Sequence, residues 1–148
     1  MPRSCVEWAA YSDAAALRGA IHAADGIYFP DPRQATAGIH FAKVLAALGV
    51  DTTADPRLLT FPNGATAMAA LAASPLSAPI GCTQVTEILN TKGVTLVGLL
   101  PQEFELATVY CAAVASKAKY PREAQRLIEM LIAPEAQAHR DRLGFETS

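Results

Sequence analysis

The sequence predicts an α/β fold in which a mostly parallel sheet is flanked by helices. Three observations predict it. Short apolar segments alternate with amphipathic helical stretches along the whole chain. The first of them, residues 26–29, is apolar throughout rather than at every second residue, as in strands buried on both faces. Three of them end in turns that run straight into helix starts, at Thr36, Asn63 and Thr83.

The 148 residues are expected to form one domain. Its parts are a leading segment and helix over 1–24, a core over 25–105, and a crossing strand with a C-terminal helix pair over 106–148. The first eleven residues read as irregular. Ser12 is placed as the N-cap of a first helix, with Leu17 and Ile21 on its apolar side, and Asp25 and Gly26 stop it. Residues 26–29 form the first strand. Pro30, Asp31 and Pro32 then end regular structure, because two prolines remove donors and bias their predecessors to extended geometry.

Thr36 is assigned as the cap of the next helix. Phe41, Val44, Leu45 and Leu48 recur at i, i+3, i+4 and i+7 and make its buried face, with Gly49 as its stop. Residues 58–61 form a second strand. Pro62, Asn63 and Gly64 turn it into an alanine-rich helix over 65–73, with Asn63 as N-cap. Residues 78–82 form a third strand, and Thr83 caps a short helix through Ile88 and Leu89. Residues 94–100 and 106–115 are read as two more strands, the second carrying Tyr110. Pro121 sits at the first position of a helix whose apolar stripe holds Leu127, Leu131 and Ile132. A last short helix starts at Pro134 and ends near Gly144.

Composition limits the function classes. The net charge is −2 with no basic cluster, which argues against a nucleic-acid or anionic-membrane surface. No run of apolar residues is long enough for a membrane span. The three cysteines, Cys5, Cys82 and Cys111, have no metal-ligand spacing and read mainly as buried small residues; a Cys82–Cys111 bridge stays open. His22, His40 and His139 share no ligand spacing and read as solvent-facing helix positions. Cys82 near a helix start could be a nucleophile, and Asp31 with Glu87 an acid–base pair, but neither has an adjacent partner in the sequence. No cofactor and no catalysis are expected.

What the pattern does offer is an anion site. If the strands are parallel, the starts of three helices lie along one sheet edge, where ligands of open α/β sheets bind. Each start presents unpaired N–H groups and the positive end of a helix dipole. The candidate ligand-binding residues are Thr36, Ala37 and Gly38; Asn63, Gly64 and Ala65; and Thr83 and Gln84. Gly38 and Gly64 would let the main chain approach a ligand closely. Arg33 is the nearby cation, and Glu87 stands as a competing negative charge.

The ordered set of features resembles the second lobe of the periplasmic molybdate-binding proteins and their type 2 extracellular solute-binding relatives, over roughly residues 25–146. The features are Asp31-Pro32 before Ala37-Gly38, a helix ending in Leu48-Gly49, and Asn63-Gly64 opening an alanine-rich helix. Pro79-Ile80-Gly81, Lys92-Gly93-Val94, Tyr110, Pro134-Glu135-Ala136-Gln137 and Gly144-Phe145 follow. The resemblance implies an oxyanion or carboxylate held by main-chain N–H groups at Ala37 and near Asn63 and Gly64, and Tyr110 joins the candidate ligand-binding residues. Where the molybdate binders place a tyrosine after the third strand, this chain has Thr83 and Gln84.

The resemblance further implies a receptor of an ABC transporter, with a small anionic solute and a permease as partners, in the periplasm. The first lobe and signal peptide of such receptors are not seen, so the chain reads as truncated, and as cytoplasmic if complete. A bare second lobe would expose Leu127, Leu131 and Ile132, giving a homodimer as an alternative role.

Overall fold

The computed structural model describes residues 13–146, so Cys5, the expected cap Ser12 and the irregular leading segment lie outside the described residues. The chain divides into two compact units, Met1–Leu106 and Ala107–Ser148.

The first unit is α/β. Its helices are α1 (Ala14–Ala23), α2 (Thr36–Ala47), α3 (Gly64–Ala72) and α4 (Val85–Leu89); its strands are β1 (Gly26–Pro30), β2 (Leu58–Phe61) and β3 (Pro79–Gly81). The sheet order is β2-β1-β3, and both pairings are parallel. Ile27 stands opposite Leu58 on one side and Ile80 on the other. The central strand is buried along its whole length.

Alternation decides which side each β1 residue serves. Ile27 and Phe29 pack with Leu17 and Ile21 of α1 and with Phe41, Val44 and Leu45 of α2. Phe29 meets Phe41 edge to face, ring centroids 5.5 Å apart. Tyr28, between them, is stacked on Phe61, and its hydroxyl donates to Ser74 Oγ at 2.9 Å, just past α3. Helices therefore cover both faces, as the fully apolar β1 predicted.

Helix ends show how local chemistry sets the boundaries. The cap of α1 is Asp13, one residue after the expected Ser12: its carboxylate accepts the N–H of Ala16 at 2.8 Å. Asn63 caps α3 as expected, accepting from Thr66 N–H at 2.8 Å. At the end of α2, Gly49 takes φ +85°. Its N–H reaches Ala46 O, and Val50 N–H reaches Leu45 O, each at 3.0 Å, the paired closure that a left-handed residue permits.

Two caps are corrected. Thr36 is the first helical residue rather than the cap of α2, and the position before it, Ala35, has no capping side chain. Asp31 does that work from further back: its Oδ1 accepts the N–H groups of Arg33 and Gln34 at 2.7 and 3.0 Å, and its carbonyl accepts Ala35 N–H. Thr83 does not cap α4, whose N-cap is Gln84, because the Thr83 hydroxyl donates to the Glu87 carboxylate.

Residues 94–100 and 106–115, expected as strands, have no strand pairing; among the described residues the sheet holds three strands. Leu100 does pack on the core. An apolar run specifies burial, whereas a strand also needs a ladder partner, and hydrophobicity alone does not name one.

Arginines close helix C-termini in both units. Arg18 Nε donates to Leu48 O at 3.2 Å, and Arg57 Nη1 reaches Ile21 O and Ala24 O, each at 3.0 Å, at the end of α1. Arg57 also holds the Asp55 carboxylate through Nε at 3.0 Å and Nη2 at 2.7 Å. The Arg57 side chain keeps the Asp55 carboxyl below its usual range, and the Thr53 hydroxyl does the same for Asp51. Both folded values lie below the unfolded ones. Their stabilisation is therefore complete above about pH 4 and is lost as pH falls through the folded values. The urea midpoint is expected to be level from pH 7 to about pH 5 and to fall in stronger acid, and Asp55→Asn should flatten that fall.

The second unit contains α5 (Pro121–Ile132) and α6 (Gln137–Arg142), with a single 3₁₀ turn at Pro134–Ala136. Pro121 occupies the start of α5 as predicted. Arg140 donates to Ala133 O at 3.1 Å and to Leu131 O, closing α5. The Tyr110 ring meets Phe145 edge to face at 5.7 Å.

Candidate functional site

Because β1, β2 and β3 are parallel, the starts of α2, α3 and α4 all follow the carboxyl ends of strands and share one edge of the sheet. The order β2-β1-β3 also puts a topological switch point at β1, since the chain leaves it toward β2 and returns on its other side as β3. The geometry that the sequence pattern required is present for these three elements.

The donors differ between the helices. In α2, the N–H groups of Thr36, Ala37 and Gly38 have no hydrogen-bond partner among the described residues, and in α3 the same holds for Gly64 and Ala65. Thr66 N–H is taken by Asn63, so Asn63 acts as a cap. α4 has only five residues and adds little dipole.

The two glycines make room for the protein itself. A Cβ on Gly38 would run into the carbonyl oxygens of Pro30 and Asp31, so the missing side chain lets α2 lie directly on the end of β1. A Cβ on Gly64 would run into the Glu87 carboxylate and the Thr83 hydroxyl. Glu87, flagged in the sequence as a competitor for anions, thus stands against the first residue of α3.

Thr83 is brought to Gly64, and Thr36, Ala37 and Gly38 follow the loop that Asp31 organises. Gln84 is the N-cap of α4. Tyr110 belongs to the second unit, where it is exposed beside Phe145.

A cleft of about 300 Å³ opens at this edge, lined by Asp31 and Gln34 from the β1–α2 loop and by Thr60, Phe61 and Pro62 from the end of β2. Asp31 N–H donates to Phe61 O at 2.7 Å and ties its two walls together. Sequence reasoning missed these lining residues apart from an acid–base role for Asp31. The available signal was Asp31 placed two and three residues before Arg33 and Gln34, the spacing of a side-chain-capped turn.

The reactive alternatives lose support. Burial pushes the Cys82 thiol up to about 12, the opposite of the lowering expected at a helix start, so almost no thiolate exists at neutral pH. Cys82 and Cys111 are free thiols rather than a bridge. His40 is not a solvent-facing position: its Nε2–H donates to Phe104 O at 2.7 Å, pinning the 102–104 turn to α2. Among the described residues no group of His, Cys, Asp and Glu could hold a metal ion, and no helix is long and apolar enough to cross a membrane.

Comparison with known proteins gives two findings. Residues 10–146 match the family described as bacterial extracellular solute-binding protein. A stretch of 59 residues, 40% of the chain, is 32% identical to aconitate isomerase from Pseudomonas sp and covers 22% of that protein's length. No solved structure matches the chain.

Proposed function

The chain belongs to the bacterial extracellular solute-binding proteins, and we propose on that premise that it binds a small anionic solute, an oxyanion or carboxylate, without transforming it. The observation that supports this reading most is the set of unpartnered N–H groups of Thr36, Ala37, Gly38, Gly64 and Ala65 on one sheet edge. Such donors stabilise negative charge without a cation, as the low overall charge requires. Thr83 and Gln84 are kept in the proposed site as side-chain contributors, with Asn63 as the residue that shapes the α3 start; Tyr110, in the second unit, is not assigned to it. Delivery to an ABC permease in the periplasm completes the proposal.

The partial similarity to aconitate isomerase favours the carboxylate half of the ligand class and gives a second reading, in which the chain acts on a carboxylate. The exposed α5 residues Leu127, Leu131 and Ile132 favour a third, a homo-oligomeric module with a vestigial site, which light scattering on the purified chain would detect.

The test is a thermal-shift panel of molybdate, tungstate, sulfate, phosphate, acetate, succinate and aconitate. A ligand at about a hundred times its Kd adds roughly 2.7 kcal/mol, or on the order of 5–10 °C for a chain of this size. A selective rise supports binding, a flat panel overturns it, and interconversion of aconitate isomers would move the conclusion to the second reading.

A further inference from the structure

We propose that residues 105–117 pair, as an antiparallel strand centred on Cys111, with the same residues of a second copy of this chain. Residues 106–116 hold no charge, no glycine and no proline, and Thr108, Val109, Tyr110 and Val114 favour a strand. The segment nevertheless has no place in the three-stranded sheet. The main-chain N–H and C=O groups of residues 106–109 and 111–114 have no hydrogen-bond partner among the described residues. Residues 105–113 are all exposed, Val109 at 84%. A long apolar stretch with unpaired main-chain groups is a template for pairing with another chain.

Charge complementarity names the occupant and the register. Two glutamates, Glu103 and Glu105, precede the uncharged run, and two lysines, Lys117 and Lys119, follow it at the same spacing. With Cys111 opposite Cys111 of the second copy, Glu105 of each copy faces Lys117 of the other. Glu103, in the 102–104 turn, and Lys119 meet one step beyond. No other antiparallel register keeps both pairings: moving the centre to Tyr110 or Ala112 leaves one. Parallel, in-register pairing would set glutamate on glutamate and lysine on lysine, which is destabilising.

Alternation puts Cys111, both glutamates and both lysines on one face of the paired segment. Tyr110 falls on the other, and its ring meets Phe145. The two-fold axis doubles every contact, so two kinds of ion pair become four. Each exposed pair stabilises little by itself. The main-chain ladder and the apolar side chains supply the association, and the charges select the partner and its register.

Light scattering and sedimentation velocity on the full chain test this. The variants are Glu103→Lys with Glu105→Lys, and Lys117→Glu with Lys119→Glu. The native chain is expected to be a dimer. Each charge-reversed variant alone should dissociate at least about tenfold more readily, because four attractive pairs become four repulsive ones. An equal mixture of the two variants should restore dimers, and so should a single chain carrying all four reversals. A short bismaleimide, which adds one thiol at each end, should join two native copies through Cys111, and Cys111→Ser should abolish that product.

A native chain that stays monomeric at its highest soluble concentration overturns the proposal. So does a dimer that survives both charge reversals and is lost in Leu131→Asp, since it then belongs to the exposed stripe of α5. Failure of the mixture to restore dimers, or a native dimer that does not cross-link through Cys111, overturns it as well.

Discussion

Phe29→Ala is expected to lower the stability of the first unit by about 3–5 kcal/mol, the range for deleting a large buried aromatic side chain. Phe29 is 2% exposed in the strand that both other strands pair with. Its ring lies against Phe41 and within the cluster that joins α1 and α2 to the sheet. Removing it takes away apolar burial and an aromatic contact, and β1 has little freedom to collapse into the space because it is paired on both edges. For a domain whose total stability is roughly 5–15 kcal/mol, a loss of that size populates the unfolded state at physiological temperature. Urea denaturation followed by far-UV circular dichroism measures it. Phe29→Leu, which refills most of the volume, should cost less than half as much; equal losses in the two variants would count against the packing account.

Gly38→Ala is the second large effect, and it joins fold to function. The added Cβ meets the carbonyl oxygens of Pro30 and Asp31, which are main-chain atoms with no rotamer to yield. α2 must lift from the end of β1, at a cost of about 3 kcal/mol, the upper part of the range for overpacking. The same shift moves the N–H groups of Thr36 and Ala37 and the loop that forms one wall of the cleft. Ligand-dependent thermal stabilisation should therefore vanish in Gly38→Ala, beyond the fall in Tm. Gly19→Ala is the control, since a Cβ there meets nothing within 4 Å and alanine favours the helix; it should leave binding intact and raise the Tm slightly. A Gly38→Ala protein that keeps both its Tm and its ligand response would show that close approach of α2 to β1 is not required.

Much of this molecule was legible in the sequence because it depends on neighbours along the chain. The recurrence of Phe41, Val44, Leu45 and Leu48 named the buried face of α2, and all four are buried there. Gly49 stops that helix and Asn63 starts the next, each by a bond to a residue three to five positions away. The continuous apolar run of β1 announced a buried parallel strand covered on both faces.

What the sequence left undecided depends on pairs far apart in the chain, and the tertiary structure alone decided it. Arg57 closes the end of α1 from more than thirty residues away, so a segment read as plain loop is a structural clamp. Glu87 meets Gly64 across two helices, which turns a glycine read as making room for a ligand into one that makes room for a carboxylate. Residues 94–100 have the composition of a strand and no ladder, because pairing needs a partner edge. The cleft joins residues of the 31–34 and 60–62 segments only because β1 and β2 lie side by side in register. Local bonding and periodicity are written in adjacent residues, whereas closure of the site is a property of which distant main-chain edges meet.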